Sequence, residues 1–218
     1  MKPIFLSIYI WIMFCSASCN NGQSVKGETG GSSSEETKTT LQDDDIIRLQ
    51  PFNIKDYQKE QNYKAAKDIK LQKVGIADLK KMIGLADYTW IVVWASWCPH
   101  CREGLNHYPG TTEKVNKLDE NMNMILVAED YNLPMVQQRM FDIGYKKQVY
   151  VLDPEEFGMD EEAKITKLRQ YLCPTCSKVD AVVPQHYLFN KNGQIVLNEV
   201  GGDVTDINIM TAISSTKN

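Results

Sequence analysis

Two pairs of cysteines, each with the spacing Cys-x-x-Cys, are the residues of this 218-residue sequence whose type and spacing could do chemistry. Cys98 and Cys101 form the first pair, and Cys173 and Cys176 form the second. Cysteines at this spacing can form a redox centre, a local disulfide or half of a metal site. The residues around each pair have to indicate which of these chemistries applies.

The first pair is expected where a buried strand gives way to a helix. Trp90 to Ala95 is a continuous apolar run, typical of a strand covered on both faces, and a helical pattern follows from Glu103 to Leu118. The proline and glycine at 109 and 110 predict a kink in that helix. The N-terminus of a helix offers free N–H groups and a partial positive charge, which stabilise a thiolate at Cys98.

The residues between and around these cysteines fit the same chemistry. Pro99 suits a first helical turn because its missing N–H costs nothing there. His100 would favour the thiolate further if it is charged or donates a hydrogen bond. Cys101, one turn along, can resolve a mixed disulfide formed at Cys98 and should be the more buried of the two. The pattern therefore indicates an attacking Cys98 and a resolving Cys101.

The rest of the chain alternates between strand and helix patterns. Strands are predicted at 124–128, 149–152, 186–189 and 194–197, and helices at 134–143, 160–172 and 205–213. The last two strands flank Asn192-Gly193 and should form an antiparallel hairpin. In the last helix Ile207, Met210 and Ile213 stand at helical spacing. Another helix is predicted around Ile76 to Ile83, whereas residues 46–72 show no clear pattern. The fold class is α/β, with a mostly parallel sheet and an antiparallel pair.

The segment Trp94 to Cys101 resembles the active site of thioredoxin-like oxidoreductases, and Val183-Pro184 ahead of the hairpin is similar to their cis-proline loop. The resemblance covers roughly residues 74 to 215. It implies a thioredoxin-like fold, a central mixed sheet flanked by helices, with an inserted helix before the cis-proline. It also implies that Val183 and Pro184 bind the substrate.

Features of this chain resemble two subgroups of that family, and these subgroups differ in the direction of electron flow. The export signal and the tether that we predict at the N-terminus of this chain resemble those of the TlpA/ResA group. The proteins of that group act as reductants. Pro99-His100 between the cysteines, and Val183 before the proline, resemble the strongly oxidising DsbA type. A stabilised thiolate makes the disulfide a better oxidant. The direction of electron flow therefore stays open.

The resemblance also marks residues that would modulate the site. The buried acid of many thioredoxins is replaced here by an apolar run at Val92 and Val93, so proton transfer needs another group. Glu103 and Glu129 are candidates, and a solvated surface carboxylate is the competing interpretation of each. Trp97 is expected to offer apolar surface to a partner polypeptide. His107 and His186 are expected to be packed or surface residues.

For the second pair, Cys173 and Cys176, three interpretations stay open. It follows a predicted helix and precedes Pro184 by only eight residues, so it could lie on the same face as Cys98. It could be a structural disulfide, a second redox pair that exchanges electrons with the first, or part of a four-cysteine zinc site.

The N-terminus has the pattern of an export signal. Lys2 precedes an apolar run from Pro3 to Phe14, too short to span a bilayer, and small residues then precede Cys19. This resembles the lipobox of bacterial lipoproteins, although Ser16 departs from it, so cleavage without lipidation stays open. We expect a signal peptide at 1–18, a lipidated Cys19 with a flexible tether at 19–45, and a domain at 46–218.

The charge and composition of the chain limit the classes of partner that it is expected to bind. With 24 Lys+Arg against 28 Asp+Glu, the chain lacks the basic surface that nucleic acid selects. The sequence therefore predicts an exported thiol:disulfide oxidoreductase on the periplasmic side of a bacterial membrane, needing no metal or organic cofactor. Its partners would be cysteine-containing exported proteins and a membrane or exported redox partner. The alternative is a metal-binding or metallochaperone module that uses the same cysteines.

Overall fold

The computed structural model describes residues 47–118, 120–176 and 181–217. The signal peptide predicted at 1–18 and the tether predicted at 19–45, including Cys19, lie outside these residues. None of the helices in the described ranges is both long enough and apolar enough to cross a membrane.

The domain is built around a mixed sheet of six strands. These are β1 (Leu71–Val74), β2 (Tyr88–Trp94), β3 (Met122–Ala128), β4 (Val149–Leu152), β5 (Gln185–Asn190) and β6 (Ile195–Val200). Their order across the sheet is β1-β4-β3-β2-β5-β6. Strands β1 to β4 are parallel to one another, whereas β5 is antiparallel to both β2 and β6. The expected central mixed sheet is confirmed.

Seven helices flank this sheet within the described residues. They are α1 (Ile76–Met82), α2 (Pro99–Leu105), α3 (Tyr108–Asn116), α4 (Leu133–Asp142), α5 (Pro154–Phe157), α6 (Glu161–Leu172) and α7 (Asp206–Ser215). From β2 onward, strands and helices alternate as the sequence patterns predict, and α6 is the expected inserted helix before Pro184.

The two faces of the sheet carry different helices because alternate residues of a strand point to opposite sides. Along β2, Trp90 and Val92 face one side, where α2, α3, α4 and α7 pack; we call this the first face. Ile91 and Val93 face the other side, where α1, α5 and α6 pack; we call this the second face. Strand β2 is buried throughout, so its C-terminal end is held rigidly from both sides.

Several features differ from the sequence-based expectations. Strand β1 begins at the end of the stretch that shows no clear pattern, and within the described residues it pairs with β4 and, at Gln72, with the single residue Gln50. The short helix α5 is also additional to the prediction. In α7, Ile207 and Met210 are 72% and 37% exposed, because Ile209, Ala212 and Ile213 form its buried face. The helix itself and its Thr205 cap are as expected.

The kink expected at Pro109-Gly110 lies elsewhere. The helix breaks between Leu105 and Tyr108, and Pro109 falls in the first turn of α3, where a missing N–H is harmless. At the break, the hydroxyl of Tyr108 lies so close to Gly104 that a Cβ there would be 2.0 Å from it. The junction of α2 and α3 therefore requires glycine at 104.

Candidate active site

Cys98 and Cys101 form a disulfide at the junction of β2 and α2. Cys98 is the N-cap of α2, and its Cα lies 5.3 Å from that of Cys101. The backbone N–H of Cys101 donates to Cys98 Sγ at 3.1 Å. This bond would stabilise negative charge on the sulfur once the disulfide opens. Both residues are buried, and Cys101 is the more buried, as expected.

The loop before Cys98 is fixed by a carboxylate. Asp130, two residues after β3, accepts hydrogen bonds from Ser96 N–H at 2.6 Å and from Ser96 Oγ at 2.9 Å. It is nearly buried and also accepts from the N–H of Asn132 at 3.1 Å. Asp130 is not among the site residues predicted from the sequence. Its place directly beyond a strand parallel to β2 was the available signal, since both strands end at the same edge.

Val183 and Pro184 meet the first cysteine. The Val183–Pro184 peptide bond is cis, and the Val183 carbonyl oxygen lies 3.5 Å from Cys98 Sγ. The loop is secured on both sides: Gly201 N–H donates to the Pro184 carbonyl at 2.8 Å, and Gln185 Nε2 donates to the Val182 carbonyl at 3.0 Å. The structure therefore brings together the three sequence-predicted elements Cys98, Cys101 and the Val183-Pro184 loop.

The residues that flank the disulfide lie at the surface. Trp97 is 55% exposed, as expected of a residue that offers apolar surface to a partner. Pro99 occupies the first turn of α2, and it is exposed together with His100 and Glu103. Glu103 thus matches the solvated alternative.

Glu129 is not a solvated carboxylate. It is buried at the end of β3 and pairs with Lys164 Nζ of α6 at 2.7 Å, with both side chains 2% exposed. Burial raises the pKa of Glu129 above its ordinary value, and the ammonium of Lys164 opposes that shift. Helix α6 packs on the second face, whereas Cys101 lies on the first. A role of Glu129 in modulating the site stays a prediction. A lone Glu in the sequence gives no hint of a lysine 35 positions away.

The two histidines differ in environment. His186 is fully buried on the first face, stacked on Trp90 and edge-on to Tyr108, and its Nε2 lies 3.2 Å from the Gly202 carbonyl. Burial disfavours the charged ring and lowers the pKa of His186 to about 4. His107 is a surface residue whose Nε2 lies 2.8 Å from Asp203 Oδ1. Both match the expectation of a packed or surface residue.

Cys173 and Cys176 form the second disulfide, with their Cα atoms 5.3 Å apart. Cys173 is the C-cap of α6 and is buried among the residues of the second face, where Cys176 also packs. The next residue, Pro174, lines a cleft with Phe189 and the hairpin turn at its end. The second disulfide therefore lies beside the C-terminal end of β5.

This position separates the two disulfides. Phe189 pairs with Thr89 near the start of β2, whereas Cys98 follows the end of that strand. Five residues of strand, at about 3.3 Å each, amount to about 16 Å. The expectation that both pairs lie on the same face is wrong, since they lie on opposite faces and at opposite ends of the sheet. A four-cysteine zinc site is contradicted for the same reason.

Comparisons with known proteins give distant structural likenesses. No family model matches the sequence, and no curated protein matches it. Among solved structures, the thioredoxin domain of a thiol-disulfide oxidoreductase from Bacteroides vulgatus is 18% identical, with a TM-score of 0.44 over 64% of this chain and 84% of that one. A thiol:disulfide interchange protein from Chlorobium tepidum is 15% identical, with a TM-score of 0.44 over the same shares. StoA from Bacillus subtilis is 17% identical, with a TM-score of 0.41 over 59% of this chain and 83% of that one.

The fold class follows from the order and arrangement of the strands and helices. A Cys-x-x-Cys pair follows a central strand, a cis-proline precedes the antiparallel hairpin, and helices cover both faces of the mixed sheet. The domain has a thioredoxin-like fold.

Proposed function

We propose that the protein is an exported thiol:disulfide oxidoreductase that exchanges the Cys98–Cys101 disulfide with cysteines of partner proteins. One observation carries the proposal. The disulfide caps α2, receives the Cys101 N–H on Cys98 Sγ, and lies against the carbonyl of Val183 before the cis-proline. This places a stabilised sulfur beside the backbone to which a substrate can bind.

The exchange needs sulfur chemistry alone. In the reducing direction, the Cys98 thiolate attacks one sulfur of a partner disulfide, forms a mixed disulfide and displaces the other partner sulfur as a thiolate. Cys101 then loses its proton to solvent or to the displaced thiolate and attacks Cys98 Sγ. This closes the Cys98–Cys101 disulfide and releases the second partner thiol. Two electrons pass from the dithiol to the partner, so no metal or organic cofactor is required.

A polypeptide is the substrate that suits this surface. Backbone groups of the Val182–Pro184 loop lie beside Cys98, and an extended segment can add to such an edge by main-chain hydrogen bonds. Trp97, directly before Cys98, supplies exposed aromatic area. We therefore propose Val183 and Pro184 as substrate-binding residues and Trp97, Pro99 and His100 as modulators of the site.

The proposed location rests on sequence. The apolar run at 3–14 and the small residues before Cys19 support export and a lipid anchor on the periplasmic side of a bacterial membrane. A membrane or exported redox partner would then renew the disulfide or the dithiol.

The direction of electron flow depends on the reduction potential of the first pair. A potential toward the oxidising end makes the protein a disulfide donor governed by Pro99-His100. A potential near that of thioredoxin makes it a reductant that draws on a membrane electron source. The metal-binding alternative is not favoured, because both cysteine pairs are disulfides held far apart.

Trapping of partners tests the proposal. In the Cys101→Ser variant, the mixed disulfide at Cys98 cannot be resolved, so partner proteins should accumulate covalently on the exported protein. The matched control is Cys98→Ser, which should trap none. Absence of mixed disulfides in Cys101→Ser under oxidising conditions, with the protein folded, would contradict a protein substrate.

A further inference from the structure

Exposed apolar side chains occur at the edge of the sheet where the Cys98–Cys101 disulfide lies. Trp97, which precedes Cys98, is 55% exposed, and Val182, which precedes the residue whose carbonyl lies against Cys98 Sγ, is 44% exposed. Met159, between α5 and α6, is 68% exposed, the second most exposed large apolar side chain among the described residues. Exposed apolar groups that adjoin a reactive centre mark a surface for another molecule.

Two sets of hydrogen bonds link the loop before Cys98, through residues adjacent in the chain, to the loop that carries Met159. Ser96, between the end of β2 and Trp97, is hydrogen-bonded to Asp130. The next residue, Tyr131, donates its hydroxyl to the carbonyl of Gly158 at 3.0 Å. Met159 follows Gly158 directly, so it lies at the same edge of the sheet as Cys98, one tyrosine side chain beyond Asp130.

The loop that carries Met159 is held in place by Tyr131 and by the buried ion pair of Lys164 with Glu129. Lys164 Nζ pairs with Glu129 at 2.7 Å and lies 4.7 Å from the centroid of the Tyr131 ring. The buried ion pair thus fixes the start of α6 against the end of β3, and Tyr131 fixes Gly158 above it. Because the backbone that carries Met159 is held in place, binding of a partner does not have to order it, which favours binding.

The charge around Met159 indicates the partner. Residues 158 to 163 are all exposed, and three of them, Asp160, Glu161 and Glu162, are acidic. Asp160 caps α6 by accepting from the N–H of Ala163 at 2.7 Å. A methionine beside exposed carboxylates complements a segment that carries an apolar residue next to lysine or arginine.

We propose that Met159 and its neighbouring carboxylates form a docking surface for a basic, apolar segment of the partner protein whose cysteine reacts with Cys98. We call Met159, Glu161 and Glu162 the acidic rim. The proposal rests on the proposed function: because Met159 lies at the same edge of the sheet as Cys98, the occupant is identified as a stretch of the substrate that reacts there. The acidic rim then selects partners, while the cysteines and the Val183-Pro184 loop perform the exchange.

Two synthetic ten-residue peptides, each used as its symmetrical disulfide-linked dimer, test the selection. Each strand carries one cysteine and, several residues away, a leucine flanked by two lysines in one peptide and by two glutamates in the other; attack by Cys98 releases the second strand as its thiolate. For the wild-type protein in the dithiol state, the lysine peptide should have a KM several-fold lower than the glutamate peptide. The difference should shrink in high salt, which screens exposed charges.

Variants of the rim should raise KM for the lysine peptide and leave kcat unchanged. We expect about a tenfold rise for Met159→Ser, from loss of a buried apolar contact. For Glu161→Gln/Glu162→Gln we expect about a threefold rise. Ile207→Ser, at an equally exposed site on α7, and Glu113→Gln, on α3, are matched controls that should leave KM unchanged. The rate with oxidised glutathione should stay the same in all four variants, since it reports the cysteines alone.

Equal KM values for the two peptides, or rim variants with an unchanged KM, would overturn the docking surface. A preference for the glutamate peptide would overturn it as well. Failure of the proposed function gives a different result, because the wild-type protein would then react with neither peptide nor oxidised glutathione. Binding of the lysine peptide with its cysteine replaced by serine, measured by fluorescence anisotropy, tests the rim without chemistry: a Kd unaffected by Met159→Ser contradicts it.

Discussion

The two Cys-x-x-Cys pairs have the same spacing and the same Cα separation, yet they occupy opposite ends of helices. Cys98 begins α2, and Cys101 N–H donates to its sulfur. Cys173 ends α6, where carbonyl groups point outward and its own N–H donates to the Arg169 carbonyl. A helix N-terminus stabilises a thiolate, and a C-terminus disfavours one. The first pair is therefore suited to exchange, and the second to a lasting disulfide.

The spacing of two cysteines therefore does not by itself determine the chemistry of the pair. A cis-proline loop and an exposed tryptophan adjoin the first pair. The second pair caps a helix on the other face, where Cys173 is buried in the core. Helix α6 connects the two regions, since it begins near the active-site edge at Lys164 and ends at Cys173.

Removal of each pair should have very different effects on activity. Cys98→Ser removes the nucleophile, so turnover of a protein disulfide should fall about a thousandfold or more. Cys173→Ala/Cys176→Ala should keep turnover within about threefold of the wild type if the second pair has no part in exchange. A turnover assay with insulin reduction checks both. Comparable losses of turnover in the two variants would contradict the different roles assigned to the two pairs.

The ion pair at the start of α6 should matter more for stability than the disulfide at its end. Lys164→Met leaves Glu129 buried without its partner, which should cost about 3–5 kcal/mol of unfolding free energy. Replacing both residues, as in Lys164→Met/Glu129→Leu, should recover at least half of the loss, because no charge then stays buried. Urea unfolding measures both values, and a loss below about 1 kcal/mol in the single variant would show that the pair contributes little.

His186 should make the first face sensitive to acid. Its pKa is about 4 in the folded protein because burial disfavours the charged ring, against about 6.5 when unfolded. Between these values the unfolded chain binds more protons, so stability should fall as pH drops from about 6.5 toward 4, by up to about 3 kcal/mol.

The His186→Gln variant tests this dependence. Its unfolding free energy should change less with pH over the same interval than that of the wild type. A pH dependence that is identical in His186→Gln and the wild type would show that His186 is not its source.

The second disulfide should have the smallest effect. It closes a loop of only four residues, so the chain-entropy estimate gives about 2 kcal/mol of stabilisation. Thermal unfolding of Cys173→Ala/Cys176→Ala should show a loss of this size. A larger loss accompanied by loss of turnover would mean that the second pair also organises the active site.

Much of this arrangement could be predicted from local sequence. The apolar run of β2, the proline after Cys98 and the Asn-Gly turn each act through neighbouring residues, so the strand, α2 and the hairpin follow from them. Val183-Pro184 could be assigned because it directly precedes the hairpin. The buried face of α7 could not, since helical spacing fits either Ile207 with Met210 or Ile209 with Ile213, and only packing decides.

The features that the sequence does not predict depend on contacts between residues that are far apart in the chain. Asp130 reaches Ser96 across two parallel strands, and Lys164 meets Glu129 only after α6 folds onto the second face. Strand β1 is short and pairs at the edge of the sheet, so it leaves little periodicity in the sequence. The separation of the two disulfides depends on the length and direction of α6, which the eight residues between Cys176 and Pro184 do not reveal.

The central claim is that Cys98–Cys101 is the redox-active pair and Cys173–Cys176 is not. An equilibrium titration in glutathione and dithiothreitol buffers, with each cysteine alkylated and counted by peptide mass spectrometry, tests it directly. We predict that Cys98 and Cys101 are reduced first, at a distinctly less negative potential, while Cys173 and Cys176 stay oxidised. Reduction of the second pair first, or of both pairs together, would contradict the account.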